Sequence, residues 1–271
     1  MLLKEQPSRL LQSYQSWLVY FTGTVASLDT ISRFLKEAFP YKGNLVKPNL
    51  VPYDKFKIEN QIKAFEFINI LRTLDASRII FGDEKSMKGE EFYSKKSRRD
   101  PIEGTVAAMM TGPDFRNKYS ITGLCSMDHG RGAPVWFRIH KQSNDGEEFC
   151  ATVKRAAENG YFRKYDVLIL DNAAIHKECV ERWLWENYAV FVLFLPTRSP
   201  EWNPIELVWR HLDTQLRSYP IAVARSKYGN NENDLPGKIA CDILQEFTFD
   251  QMKACFKKCF NFLTESLKSI K

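Results

Sequence analysis

Four consecutive aliphatic residues, Val167-Leu168-Ile169-Leu170, stand between Asp166 and Asp171. A strand with one wet face alternates apolar and polar side chains, so an unbroken apolar run must be covered on both faces. The stretch therefore reads as an interior strand of a layered α/β fold that leaves the core at Asp171-Asn172. A helix from Ala173 to about Tyr188 and a strand over Val190–Leu195 follow it. The loop Pro196–Glu201 then leads into a helix predicted over Pro204–Leu216, with proline at its first position.

Upstream, Arg78-Ile79-Ile80-Phe81 forms a second short apolar run, closed by Gly82-Asp83-Glu84, which places Asp83 at the end of the first strand. Tyr119–Met127 and Val135–His140 read as the next two strands, and Glu147–Asn159 as a helix stopped by Gly160. A further helix is expected from 247 onward, after a polar loop over Gly229–Gly237. Three strands followed by alternating helices and strands give an α/β fold. It is a ribonuclease H-like mixed five-stranded sheet flanked by helices, and it is expected over 75–271.

The N-terminal part has a different pattern. Leu10, Leu11, Tyr14, Trp17, Leu18 and Phe21 recur at helical spacing, Thr22-Gly23 interrupts, and Ser27 suits the N-cap of a second helix. Leu28, Ile31, Phe34 and Leu35 would share its packed face, with Arg33 and Lys36 outside. Two short helices about a glycine-containing turn make a small helix-turn-helix, assigned to 1–40. A Pro-rich linker and a connecting helix at about 54–74 fill 41–74; Phe56, Ile58, Ile62, Phe65, Ile68 and Leu71 make most of that helix's apolar face.

Composition excludes several classes. With 44% hydrophobic residues, the chain can bury a sizeable core and lacks the signature of disorder. A net charge of +6 is compatible with a nucleic-acid partner without requiring one. The six cysteines form no Cys-x-x-Cys pair, and the four histidines supply no zinc spacing, so reduced, mostly buried thiols are expected. No apolar run approaches the roughly 18 residues of a membrane span. Pro and charge come too early in MLLKEQPSRLLQ for a signal peptide. The expectation is a chain without membrane association, not secreted, nuclear in a eukaryote and cytoplasmic otherwise.

Three acids occupy unusual places. Asp83 and Asp171 close strands, where ligands of open α/β sheets gather, and Glu206 lies in the first turn of the helix after the loop. Phosphodiester hydrolysis needs an activated water and a stabilised leaving oxyanion, and two Mg²⁺ ions about 4 Å apart supply both. Mg²⁺ prefers hard oxygen ligands, which three carboxylates and a substrate phosphate provide. Structural readings stand beside this one. Asp171 or Asn172 suits the cap of the following helix. Asn203, Pro204 and Glu206 suit a capping box, and Asp83-Glu84 an ordinary polar strand end.

The sequences VLILDNAAIHKE and FLPTRSPEWNPIELVW, with 34 residues between Asp171 and Glu206, jointly resemble the DDE transposases of the mariner-like (Tc/mariner) superfamily. The matching positions are Asp171, Asn172, His176, Ser199, Pro200, Asn203, Pro204, Ile205, Glu206 and Trp209, and IIFGDEKSM resembles the family's first-acid strand. The resemblance covers roughly 77–216. It implies that Asp83, Asp171 and Glu206 bind two Mg²⁺ or Mn²⁺ ions, with Asn172, His176 and Asn203 supporting them. The implied activity is hydrolysis at transposon ends and joining of the freed 3′-hydroxyl to target DNA, by a homodimer on double-stranded DNA.

SLDTISRFLKEA is similar to the recognition helix of the family's second helix-turn-helix, which puts Arg33 and Lys36 against DNA. The basic cluster Lys95, Lys96, Arg98 and Arg99 suits the phosphate backbone, a nuclear import signal or a solvated loop. The family usually carries a first helix-turn-helix ahead of this one, and the chain begins too late to include it. That leaves open a truncated or domesticated DNA-binding protein with an inactive core. A ribonuclease H-fold nuclease acting on RNA–DNA hybrids or branched DNA is the third reading, against which the helix-turn-helix and the Asn-Pro-Ile-Glu loop argue.

Overall fold

The run at 167–170 becomes an interior strand of a five-stranded sheet with all four residues buried. The computed structural model describes residues 11–37, 53–88, 92, 118–141, 146–172, 179–219, 221–229 and 234–261. In chain order they form α1 (Leu11–Thr22), α2 (Leu28–Glu37), α3 (Ile58–Thr73), β1 (Ile79–Lys88), β2 (Lys118–Cys125) and β3 (Val135–His140). Then come α4 (Gly146–Glu158), β4 (Val167–Leu170), α5 (Cys179–Tyr188), β5 (Phe191–Phe194) and α6 (Pro204–Ser218). The last three are α7 (Ile221–Tyr228), α8 (Leu235–Gln245) and α9 (Phe249–Cys259). Residues 1–52 and 53–271 are two compact units, so α3 belongs to the second.

Strand order is β3-β2-β1-β4-β5. The first three strands are antiparallel neighbours, while β4 runs parallel to β1 and β5. Parallel neighbours need crossovers, and α4 and α5 lie in the chain between β3 and β4 and between β4 and β5. This is the expected ribonuclease H-like sheet. Alternation sorts the strand residues between two cores. Ile80, Leu168 and Leu170 meet Phe149 and Val153 of α4 and Leu184 of α5. Ile79, Phe81, Val167 and Ile169 meet the opposite layer, which includes Leu71 of α3, Trp209 and Leu212 of α6, Ile239 of α8 and Phe256 of α9.

Several boundaries differ from expectation. β1 does not stop at Asp83 but continues to Lys88, because β2 pairs with it through Lys88↔Lys118. The segment read as a polar loop contains the start of α8, where Pro236 sits in the first turn and needs no hydrogen bond there. On α3 the buried residues are Phe67 and Leu71, and Phe67 stacks on Trp202 with ring centroids 5.9 Å apart. Ile58, Ile62 and Phe65, expected to be packed, are exposed. Apolar residues occupy both sides of this helix, so periodicity alone could not choose its inner face. Gly160 does end α4, at φ +75°, a conformation that favours glycine.

The first unit is a helix-turn-helix arrangement. Ser27 Oγ accepts the Thr30 amide at 3.1 Å, the expected cap, and Gln15 donates to the Ala26 carbonyl at 2.7 Å across the turn. Ile31 is buried and Phe34 is exposed. Phe34 thus stands outside the packed face assigned to it. Five cysteines are free thiols, two of them buried, and the Cys179 side chain lies outside the described residues. Among the described residues no helix is long and apolar enough to cross a membrane.

The edge of the sheet where β1 and β4 begin is fastened by Arg131, whose side chain is fully buried. Arg131 donates to Asp166 at 2.6 Å, to the Ser77 carbonyl at 2.9 Å and to Ser126 Oγ at 3.2 Å. Asp166, also fully buried, accepts the Arg163 amide as well. Arg131→Ala strands a buried carboxylate and is expected to lower stability by about 3–5 kcal/mol. Chemical denaturation checks this; a loss under about 1 kcal/mol would mean the pair is not a fastening.

Candidate active site

Asp83 and Asp171 are brought together by register. The parallel ladder pairs Ile79 with Val167 and Phe81 with Ile169. Carried two residues further, the same offset sets Asp83 beside Asp171, just past the end of β4 at Leu170. Side chains alternate along a strand, so Asp83 shares a face with Ile79 and Phe81, and Asp171 with Val167 and Ile169. That is the face covered by α6, the helix whose first turn carries Glu206.

The electrostatics agree with that placement. Burial, reinforced by the charge of Glu206, pushes the Asp83 carboxyl up to about 7. Hydrogen bonds from the Glu84 backbone and Trp209 oppose the rise, and Asp171 adds to it. Glu206 is also raised, first by burial; Lys85 pulls it down and Asp171 pushes it up. Lys85 itself pairs with Asp213, 2.8 Å away, two turns along α6 from Glu206. The three acids thus feel one another. Among the described residues, however, no three His, Cys, Asp or Glu side chains already form a metal-ligating group.

The donor set fits a hard divalent cation. All three side chains are carboxylates, and Asp83 is half-buried where its own charge is disfavoured, so a bound cation would favour its ionised form.

Trp209 Nε1 donates to Asp83 Oδ2 at 2.9 Å. Room for the indole comes from Gly123, which lies directly opposite Asp83 in the β1–β2 ladder. A Cβ at Gly123 would stand 2.6 Å from Trp209 Cη2 and 3.0 Å from Ile205 Cδ1.

The supporting residues divide. Asn172 donates its side-chain amide to the Leu195 carbonyl, and the Leu195 amide bonds the Leu170 carbonyl at 2.8 Å, so Asn172 ties the tips of β4 and β5. Asn203 is buried at the N-cap position of α6, but its side chain makes no capping bond and its Oδ1 has no hydrogen-bond partner. The expected capping box around Glu206 therefore does not form. Arg33 and Lys36 are exposed on α2. His176, Lys95, Lys96, Arg98 and Arg99 lie outside the described residues. Reading the sequence did not find the Trp209–Asp83 bond, the Lys85–Asp213 pair or the need for Gly123. Lys85 shared the odd-numbered face of β1, the one available signal.

The fold and the placement of the acids define a ribonuclease H-like domain with carboxylates at one sheet rim. Residues 78–225, more than half of the 271, match the DDE superfamily endonuclease family, and the chain belongs to it. It is 26% identical over 220 residues to the transposable element Tc3 transposase of Caenorhabditis elegans, covering 75% of this chain and 61% of that protein. The chain thus spans less than two thirds of that relative's length. The crystal structure of the Mos1 mariner paired end complex with Mn is similar at a TM-score of 0.65 and 14% identity, over 99% of this chain and 76% of that one. The Mos1 strand transfer complex gives a TM-score of 0.61 at 16% identity, over 98% and 75%. These matches bear out the mariner-like resemblance read from the motifs; at such identities the structural likeness is one of fold.

The raised Asp83 has a stability consequence. Its folded value lies above that of the unfolded chain, so its contribution is present below about pH 4 and lost as pH rises through about 7. Asp83→Asn removes the loss. At pH 8, without divalent ions, the variant should exceed wild type by about 1–3 kcal/mol, with little advantage at pH 4. Denaturant melts at both pH values check this, and parallel pH profiles would contradict it.

Proposed function

We propose that the chain cuts and rejoins DNA strands, with Asp83, Asp171 and Glu206 holding two divalent ions, Mg²⁺ or Mn²⁺. The observation that carries this reading is the set of three carboxylates from β1, the tip of β4 and α6, sharing one rim and repelling one another. Bound ions would activate a water and offset charge on the leaving oxygen. The protein's own part is to hold the acids. Asp83 is gripped within the sheet, Asp171 is carried at the end of a buried strand, and Glu206 stands on a packed helix. Lys85 offsets part of the charge on Glu206.

The substrate in this reading is double-stranded DNA at the ends of a transposable element, and the freed 3′-hydroxyl is joined to target DNA. Membership of an endonuclease family and the likeness to Tc3 transposase support it. Arg33 and Lys36 offer exposed cations for phosphate, and Lys95, Lys96, Arg98 and Arg99 would offer further ones. His176 would steady the rim. Two copies would act on paired DNA ends; the Mos1 structure to which the chain is similar is named a paired end complex. The division of labour is a DNA-binding 1–40, a linker and connecting helix at 41–74, and a catalytic 75–271. The site of action is the nucleus in a eukaryote.

Nicking of supercoiled plasmid in Mg²⁺ or Mn²⁺ tests the reading. Wild type should nick, and Asp171→Asn should be slower by about 100-fold or more, the scale for losing transition-state charge stabilisation. Equal nicking by the two proteins rejects the assignment. Salt-sensitive DNA binding with no metal-dependent nicking by either favours a DNA-binding protein with an inactive core.

A further inference from the structure

We propose that Trp209 is a positioning residue that holds the Asp83 carboxylate in place for a divalent ion, an inference that rests on Asp83 being a metal ligand. Trp209 is 4% exposed and could serve as packing alone. Packing does not fix where its N–H points. Here the donor meets Oδ2 of Asp83 at 2.9 Å, across 126 residues of sequence.

A carboxylate in a buried site is useful as a ligand when its plane is fixed before the ion arrives. Asp83 accepts the Glu84 backbone N–H and the Trp209 indole N–H. Each oxygen of a carboxylate has two acceptor positions, so two donors leave capacity for a cation. Partners that orient a ligand in this way set affinity, and losing one typically weakens metal binding 10–100-fold.

The indole is itself held. Gly123 faces Asp83 across the ladder, and the space a Cβ would fill is taken by the Trp209 ring. The ring also stands three residues beyond Glu206 on α6. One helix therefore carries both an acid of the site and the donor that orients another acid, so the two are placed together.

Mn²⁺ binding to the full chain, followed by calorimetry without DNA, separates the possibilities. Four proteins are compared: wild type, Asp83→Asn, Trp209→Phe, and a form whose Trp209 indole is replaced by benzothiophene, which keeps the ring shape and removes the N–H. Gly123→Ala is a further variant, displacing the ring while leaving its chemistry intact. The benzothiophene form should melt within a few degrees of wild type yet bind Mn²⁺ about 10-fold more weakly or worse. Trp209→Phe and Gly123→Ala should move affinity in the same direction. Wild-type affinity in the benzothiophene form, with binding lost in Asp83→Asn, overturns the role of Trp209 while sparing the site. Unchanged binding by Asp83→Asn overturns the metal reading, and this inference with it.

Discussion

Placing a carboxylate among other carboxylates in a half-dry setting is unfavourable, and this fold does so at Asp83. Everything else at the rim follows from that choice. The parallel pairing of β1 with β4 puts Asp171 alongside, and α6 covers the same face with Glu206 in its first turn. Glu206 and Asp171 both raise Asp83, and Asp171 raises Glu206. A structure selected only for stability would carry apolar or neutral side chains here. In the proposed function, that unfavourable charge is a socket for cations.

The rim is affordable because the rest of the sheet is well held. Two apolar cores sandwich β1 and β4, and at their starting edge Arg131 and Asp166 form a buried, multiply bonded pair. The fold thus separates its tasks. The edge where the parallel strands begin is closed by a buried, multiply hydrogen-bonded ion pair, and the edge where β4 ends gathers acids, with Glu206 and Asp171 raising Asp83 and Asp171 raising Glu206. The indole of Trp209 and the amide of Asn172 act at this second edge by fixing positions without adding charge.

Much of this was legible in the chain because it depends on local rules. An unbroken apolar run required a doubly covered strand, and a proline at the start of α6 marked where Glu206 would stand. Both motifs matched the family over the stretch where the family match falls. What escaped depends on partners distant in sequence. The length of β1 was set by β2, some 30 residues on, so Asp83 lies within a strand and not at its end. The inner face of α3 was chosen by Trp202, which no pattern within α3 reveals. Proline and glycine at the start of α8 looked like a loop because turn residues and first-turn residues overlap in type. The capping box at Asn203 was chemically sound but is not made.

The central claim is that three carboxylates of the second unit share divalent ions. Anomalous diffraction from crystals of the full chain soaked in Mn²⁺ addresses it directly. The account requires anomalous peaks between the side chains of Asp83, Asp171 and Glu206. Saturated crystals with Mn²⁺ bound only elsewhere, or with these three acids left bare, would contradict it.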